Sequence, residues 1–380
     1  MNKVHMPLVS PRETIFLVPS LRRAGAETQV IDLVNGLDKD IIKPDLVVFE
    51  RDIAQIGRVN QKFVTFKQFI RKSKFNFLFV KDFGKYIEQQ KITVVHCTMQ
   101  FSLLVTWLAL WFCRRKPKLV AAVHTTINVG RKEEILDRLL YRFLFRFCSA
   151  LIFVCNSQAE HWYKKFPELK SKSLVIYNGV DPNYFDPDQF QESGNNFRKV
   201  NNIPLDRKVI VNIAGFRREK GHDFLVDAFA ALPNMPHLIL AGDGELRGEI
   251  EKKVRALGLS DRVHFLGNIG DVRPVLAAAD LSVLASTAVE TFSMAMLESL
   301  SMRVPMVATD IGGLKEAIIP GLTGDLVAIG DSEALTRSIV RVLSDDSVLK
   351  NMGNNGRESV QNKFSKQGMI AATQDLIKAI

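Results

Sequence analysis

Two glutamates eight residues apart, Glu290 and Glu298, stand in an otherwise apolar run from Val289 to Met302. Carboxylates accept hydrogen bonds from hydroxyls, and eight helical steps of about 1.5 Å place the two groups roughly 12 Å apart. That span suits the two ends of a nucleoside-diphosphate sugar, one carboxylate for sugar hydroxyls and the other for ribose. A dipole-compensating glutamate at a helix start, followed by an unrelated helical one, would give the same spacing. Upstream, Gly215-Phe-Arg-Arg-Glu-Lys-Gly221 carries Arg217, Arg218 and Lys220 in a loop between a strand and a helix. Cations there would face a diphosphate whose negative charge grows as a sugar departs, and would lower that barrier without a metal. A solvated basic loop is the plain alternative. Gly312-Gly313 and Gly25-Ala26 occupy the same strand-loop-helix setting, where backbone N–H groups can hold phosphate oxygens or the chain simply turns. His124 ends the apolar segment from Lys118 to Val123, and His96 follows another. Each either meets a ligand or is a satisfied structural residue.

These residues need a scaffold that brings loops together, and the chain reads as one. Short apolar strands alternate with longer helical patterns from end to end, which argues for parallel sheets covered by helices. Strand candidates are Ile15 to Val18, Leu46 to Phe49, Thr93 to Val95, Val120 to Val123, Ala150 to Val154 and Leu174 to Ile176. After a polar stretch from Asp186 to Asn202, read as an interdomain linker, the pattern restarts. Its strands are Lys208 to Ala214, Leu238 to Ala241, Val263 to Leu266, Leu281 to Ala285 and Met306 to Ala308. Glu290 then sits just after a strand, where a helix should begin. Amphipathic helices are expected over Asp331 to Leu343 and Lys366 to Ile380.

A chain of 380 residues exceeds the usual single-domain range, and 47% apolar composition is enough for two cores. The net charge of +10 is concentrated: residues 51 to 150 hold 19 Lys/Arg against 6 Asp/Glu, while the rest has 32 against 35. Aromatics interleave that surplus, in Lys62 to Phe79 and again in Trp107, Trp111 and Phe112 before Arg114-Arg-Lys116. Such a composition fits an anionic membrane surface, nucleic acid or an anionic acceptor, and equally core helices with solvated basic faces. Cys97, Cys113, Cys148 and Cys155 lack zinc-ligand spacing and read as reduced, mostly buried thiols. No signal-peptide pattern opens the chain, so a cytoplasmic protein is expected. The longest apolar run, Phe101 to Cys113, is too short to span a bilayer as a helix, though it could lie on one. No Asp-x-Asp pair stands in a plausible loop, which favours metal-independent chemistry. A Gly-x-Gly-x-x-Gly motif with a following acid is missing, which argues against a nicotinamide enzyme.

The chain resembles the large family of retaining glycosyltransferases whose signature is Glu-x7-Glu, the group 1 or family 4-like enzymes. The resemblance rests on Gly215 to Gly221, Ala241-Gly-Asp-Gly-Glu-Leu-Arg247, Glu290 with Glu298, Val307 to Glu316 and Gly321-Leu-Thr-Gly-Asp325. Before residue 150 it rests on Arg23-Ala-Gly-Ala-Glu27 and His124, and then on Tyr177-Asn-Gly-Val-Asp181. It implies an α/β GT-B fold, two Rossmann-like domains whose parallel sheets face each other across a donor and acceptor cleft. The acceptor-side domain would cover 1–190 plus a final helix of about 364–380 crossing back, and the nucleotide-sugar domain 200–363. By resemblance, Glu290, His124, Arg217 and Lys220 are catalytic, while Glu298, Gly25, Arg218, Gly312, Gly313 and Ser293 hold the donor. Ser293 departs from the family's usual Gly after Glu-x-Phe, Phe216 stands where many relatives carry an Arg, and Arg303 where they commonly carry Gly. The implied reaction moves a sugar, with retention and no cofactor, from a UDP- or GDP-linked donor to a lipid-linked saccharide or glycolipid of the cell envelope. The protein would be peripheral on the inner face of the plasma membrane, touch it through residues 51–150, and bind no nucleic acid. A sugar-nucleotide epimerase of the same architecture and a non-catalytic sugar-nucleotide binder are the rival readings.

Overall fold

The computed structural model describes residues 11–73, 78–124, 131–288 and 290–380 and divides into two compact units. The first comprises residues up to Asn178 together with Lys366–Ile380, and the second Gly179–Ser365. The boundary therefore precedes the polar stretch that reads as a linker. Residues 187–189 form a 3-10 turn and Gln191–Val200 a helix of the second unit. Its polar composition reflects a surface helix that packs closely against the helix Arg273–Ala278, where a Cβ on Gly194 would meet the Ala277 carbonyl oxygen at 2.6 Å. Arg198 ties this helix to the sheet by donating to Ala278 O at 2.8 Å and pairing with Asp280 at 2.8 Å.

In the first unit β1 (Arg12–Leu17), β2 (Ile42–Val48), β3 (Thr65–Gln68), β4 (Val94–Thr98), β5 (Lys118–Val123), β6 (Ala150–Phe153) and β7 (Ser173–Val175) form one sheet. The order is β3-β2-β1-β4-β5-β6-β7 and every pairing is parallel. Successive side chains point to opposite faces, and both faces are buried. Ile15 and Leu17 join one core with Val95, Leu119, Ala121, Leu151 and Phe153, while Phe16 and Val18 join the other with Val94, Val120 and Ile152. Continuous apolar strands are what a parallel sheet covered on both sides requires. The final helix, Lys366–Ala379, covers the second of these faces with Met369, Ile370 and Ile377, and the Arg12 guanidinium donates to Ile380 O at 2.7 Å.

The second unit repeats the scheme with β8 (Val209–Ile213), β9 (His237–Ala241), β10 (Val263–Gly267), β11 (Leu281–Leu284), β12 (Met306–Thr309) and β13 (Gly324–Val327), in the order β10-β9-β8-β11-β12-β13. Both sheets reverse direction at their first strand, so the switch points lie between β1 and β4 and between β8 and β11. Ligands of such sheets bind outside the carboxyl ends of the strands at the switch point.

The arginine at 303 illustrates how the sequence departs locally from expectation. Its φ is +59°, a left-handed conformation that suits glycine, and Gly353 packs beneath it, where a Cβ would lie 2.2 Å from Arg303 O. The side chain compensates with a two-bond ion pair to Asp188, at 2.6 and 3.0 Å. Left-handed strain of about 1–2 kcal/mol per residue and an exposed ion pair worth up to about 1 kcal/mol partly offset each other.

Candidate functional site

The crevice of the second unit begins where β8 and β11 part. Their ladder pairs only Leu281 with Ile210 and Ser282 with Val211, and the buried Asn212 extends the link by donating Nδ2 to Val283 O at 2.8 Å. Beyond these strand ends three loops converge: Ala214–Gly221 after β8, Ala285–Thr291 after β11 and Asp310–Gly313 after β12; Val289 lies outside the described residues.

The central contact is between Lys220 and Glu290. Lys220 Nζ lies 2.6 Å from Glu290 Oε2, with side chains 15% and 9% exposed. Ser286 Oγ donates to the same Oε2 at 2.9 Å, so both bonds end on one carboxylate oxygen. Among the described residues no bond ends on Oε1. Thr309, the last residue of β12, donates its hydroxyl to Ser286 O at 2.6 Å and so fixes the serine. The loops are also tied through backbone: Thr287 N donates to Glu219 O at 2.8 Å.

Two glycines make this approach possible. Gly221 has φ +62° and a Cβ there would fall 2.0 Å from Ala285 O; Gly312 has φ +58° and a Cβ would fall 1.6 Å from Glu290 O. Gly313 donates its N–H to Thr291 O at 2.9 Å. That amide is therefore engaged within the protein, and Leu314–Glu316 is a three-residue 3-10 turn, not the helix start expected there. The diglycine works here by letting backbone pass backbone.

Phe216 explains how the basic loop is held. The ring is fully buried, stacked on His222 at 4.2 Å between centroids and on Phe265 at 6.0 Å. Burying a phenylalanine is worth roughly 1.5–3 kcal/mol, so Phe216 anchors the loop. Arg217 and Arg218 are exposed beyond it, and Arg217 Nε sits 3.2 Å from Glu219. The helix that carries Glu298 starts at Met294 and ends at Ser301, with the Ser293 hydroxyl capping it by accepting from Met296 N at 3.3 Å. Glu290 thus precedes the helix by four residues, which corrects the separation inferred from eight continuous helical steps. The sequence reading missed Ser286, Thr309 and His222. A serine directly after a strand at the switch point was the available signal for the first.

The two remaining candidates belong to the first unit. Gly25 opens the helix Gly25–Gly36, whose buried Glu27 accepts from Arg22 Nε at 3.0 Å and Ser20 Oγ at 3.4 Å. His124 follows β5 and shares a cavity of about 30 Å³ with His96, Gln29, Asn178, Thr373 and apolar side chains. Burial lowers its pKa to about 4, and burial with the neighbouring His124 lowers that of His96 to about 3. In the second unit burial, then Lys220, lowers His222 to about 4. These rings are neutral in the fold, whereas the unfolded chain takes up protons below about pH 6.5. The unfolded state then binds more protons, so stability is full above that pH and falls as pH drops toward 4. Melting temperature is expected to be flat above about pH 7 and to decline below about pH 6; a rise on acidification from 6.5 to 5 would contradict the assignment.

All four cysteines are free and buried, and burial pushes Cys97 up to about 12 and Cys113 to about 11. Among the described residues no cluster of His, Cys, Asp or Glu could hold a metal ion, and no helix is long and apolar enough to cross a membrane.

Comparison with known proteins matches this architecture in both units. The profile of the glycosyl transferases group 1 matches residues 194–359, and that of glycosyltransferase family 4 matches residues 23–184. The N-acetyl-alpha-D-glucosaminyl L-malate synthase of Bacillus anthracis is 30% identical over 288 residues, 75% of this chain and 73% of its own. The lipopolysaccharide core biosynthesis glycosyltransferase LpsE of Rhizobium meliloti is 34% identical over 174 residues, 46% of this chain and 51% of its own. Among solved structures, Anabaena Alr3699/HepE in complex with UDP superposes with a TM-score of 0.85 at 23% identity, covering 97% of this chain and 100% of that one. A glycosyltransferase from Rickettsia africae gives 0.85 at 20% identity, covering 98% and 99%.

Proposed function

The chain belongs to the group 1 glycosyltransferases and has their GT-B fold, and from that premise we propose that it transfers a sugar, with retention, from a UDP- or GDP-linked donor to a lipid-linked saccharide or glycolipid of the cell envelope. The observation that carries this reading is the Lys220–Glu290 pair, a cation and a carboxylate held together at the switch point of the second sheet. The Glu290 carboxylate accepts from donor-sugar hydroxyls through Oε1 and lies against the positive charge that develops at the anomeric carbon. Lys220, with Arg217 or Arg218, offsets the charge of the departing diphosphate. Glu298 accepts from the ribose hydroxyls. His124 and Gly25 serve the transferred sugar and the acceptor from the first unit. The reaction needs no metal and no cofactor, since the cations of the loop after β8 supply the electrostatic work.

Relatives support the choice of donor and acceptor. The Anabaena neighbour has been solved with UDP and with UDP-glucose, and LpsE acts in lipopolysaccharide core biosynthesis. The protein works on the cytoplasmic face of the membrane that carries its acceptor.

Titration calorimetry with UDP and GDP against wild type and Glu298→Ala tests the donor assignment. A carboxylate hydrogen-bonded to ribose contributes about 1.5–3 kcal/mol, so the variant is expected to bind roughly 10- to 100-fold more weakly. Equal affinity of the two proteins would remove Glu298 from the site. Binding of neither nucleotide to wild type would overturn the donor reading.

A further inference from the structure

The first unit carries an aromatic face that its own core covers only in part. Trp107 and Trp111 project from the helix Gln100–Ala109 and the 3-10 turn that continues it, while Leu139, Phe143 and Phe147 project from the helical segment through Arg131–Phe145 and the residues just after it. The rings interlock. Trp107 lies 5.9 Å from Trp111, 5.8 Å from Phe143 and 6.2 Å from Phe147, and Phe143 lies 5.1 Å from Phe147. Yet Trp111 is 74%, Leu139 72% and Phe147 50% exposed. Trp107 is half-buried and packs on the core that includes Leu103, Val105, Leu144 and Phe145, while the rings and side chains around it reach into solvent. A contiguous exposed apolar patch of this kind marks an interaction site.

The rim is basic. Arg114, Arg115 and Lys116 follow directly on Trp111 and Phe112 and are exposed, and their turn is fixed from below by Glu88, which accepts the N–H groups of Arg114 and Arg115 at 2.9 and 3.2 Å. Arg146 is exposed between Phe143 and Phe147. Arg138 and Arg142 are paired with Glu134 and Glu168. The other half of the basic stretch behaves differently. Thr65–Gln68 is strand β3, and Phe69 packs on Phe83 and Tyr86 inside the first unit; residues 74–77 lie outside the described residues.

We propose that the face formed by Trp107, Trp111, Phe112, Leu139, Phe143 and Phe147, with Arg114, Arg115, Lys116 and Arg146, docks the protein on the headgroup layer of an anionic lipid bilayer. The charge argues for lipid over a second copy of the chain, because two such faces would set like charges against each other. Tryptophan beside arginine and lysine is the composition that settles at the membrane interface, apolar rings in the upper acyl region and cations at the phosphates. Among the described residues no helix is long and apolar enough to cross the bilayer, and the docking rests on this surface face. This deepens the lipid-linked acceptor reading, since the same docking would bring the first unit to its acceptor, but it is tested without turnover.

Flotation of the full chain with vesicles of phosphatidylcholine alone and of phosphatidylcholine with phosphatidylglycerol supplies the test, with UDP and GDP binding measured on the same preparations. Wild type is expected to float with the anionic vesicles, to be released by high salt, and not to float with the neutral ones. Arg114→Gln/Arg115→Gln/Lys116→Gln is expected to weaken binding roughly a hundredfold at low salt. Trp111→Ser/Phe147→Ser is expected to lose binding while keeping its circular dichroism and nucleotide affinity, because both positions are exposed. Wild type that fails to float overturns the proposal, as do variants that float like wild type. A wild-type dimer that the aromatic variant converts to monomer assigns the face to self-association and overturns it too. Nucleotide binding without vesicle binding sinks the docking face alone, and the reverse sinks the donor site alone.

Discussion

Glu290→Gln is expected to lower turnover about a thousandfold, equivalent to roughly 4 kcal/mol of transition-state stabilisation, and to lower the melting temperature as well. Two effects are mixed in that single variant. The carboxylate is nearly buried and holds Lys220 at 2.6 Å, so its removal leaves an ammonium group with its charge uncompensated. Breaking a buried pair on one side costs about 3–5 kcal/mol, which for a unit of this size means roughly 6–20 °C. Replacing both partners separates the two effects, because a neutral pair of similar volume is often as stable as the ionic one. Glu290→Gln/Lys220→Met is therefore expected to recover most of the melting temperature and to remain at least as inactive as the single variant. Recovery of turnover together with stability would show that the pair is scaffolding, and the assignment of Glu290 to the sugar would fall.

The sequence revealed much of this site because its chemistry is concentrated in short loops that follow strands. Buried parallel strands such as Val209–Ile213 are apolar on both faces, so their ends are easily found, and the charged residues just beyond them stand out. What escaped was polar or locally irregular. β3 reads Thr-Phe-Lys-Gln at a sheet edge, where three of four side chains face solvent, so its composition resembles a basic surface loop. β13 starts with Gly324, required because a Cβ there would lie 1.9 Å from Met306 O, and a glycine after a turn reads as more turn. The helix Gln191–Val200 buries only Gly194, so periodicity had almost nothing to register. Asp346–Lys363 is longer but rich in Asn, Gly and Ser, which weakens its helical signal. In the site itself, the contact between Lys220 and Glu290 joins residues 70 apart in the chain and depends on a crossover between adjacent strands. Residue types suggested both roles; the sheet order determines that they meet.

Gly312→Ala should have the second large effect, by displacing Glu290 without touching its chemistry. A left-handed backbone at φ +58° costs an alanine about 1–2 kcal/mol wherever it occurs. At Gly312 the added methyl would also sit 1.6 Å from the carbonyl oxygen of Glu290, a distance no structure tolerates, so one of the two loops has to shift by an ångström or more. A displacement of about 1 Å at a reacting centre can cost roughly a hundredfold in rate. Turnover is thus expected to fall about a hundredfold, with nucleoside-diphosphate affinity changing far less if Glu298 and the basic loop hold the nucleotide. Gly258 offers the matched control. Its φ is +67° and nothing lies within 4 Å of an added Cβ, so Gly258→Ala carries the same conformational strain with no overlap. It is expected to lose about 1 kcal/mol of stability and no activity. If the two alanine variants turned over at similar rates, close approach of Gly312 to Glu290 would have no bearing on catalysis. A deficit confined to Gly312→Ala, with the two variants differing in melting temperature by only a few degrees, would tie the rate to where the Asp310–Gly313 loop places the Glu290 backbone.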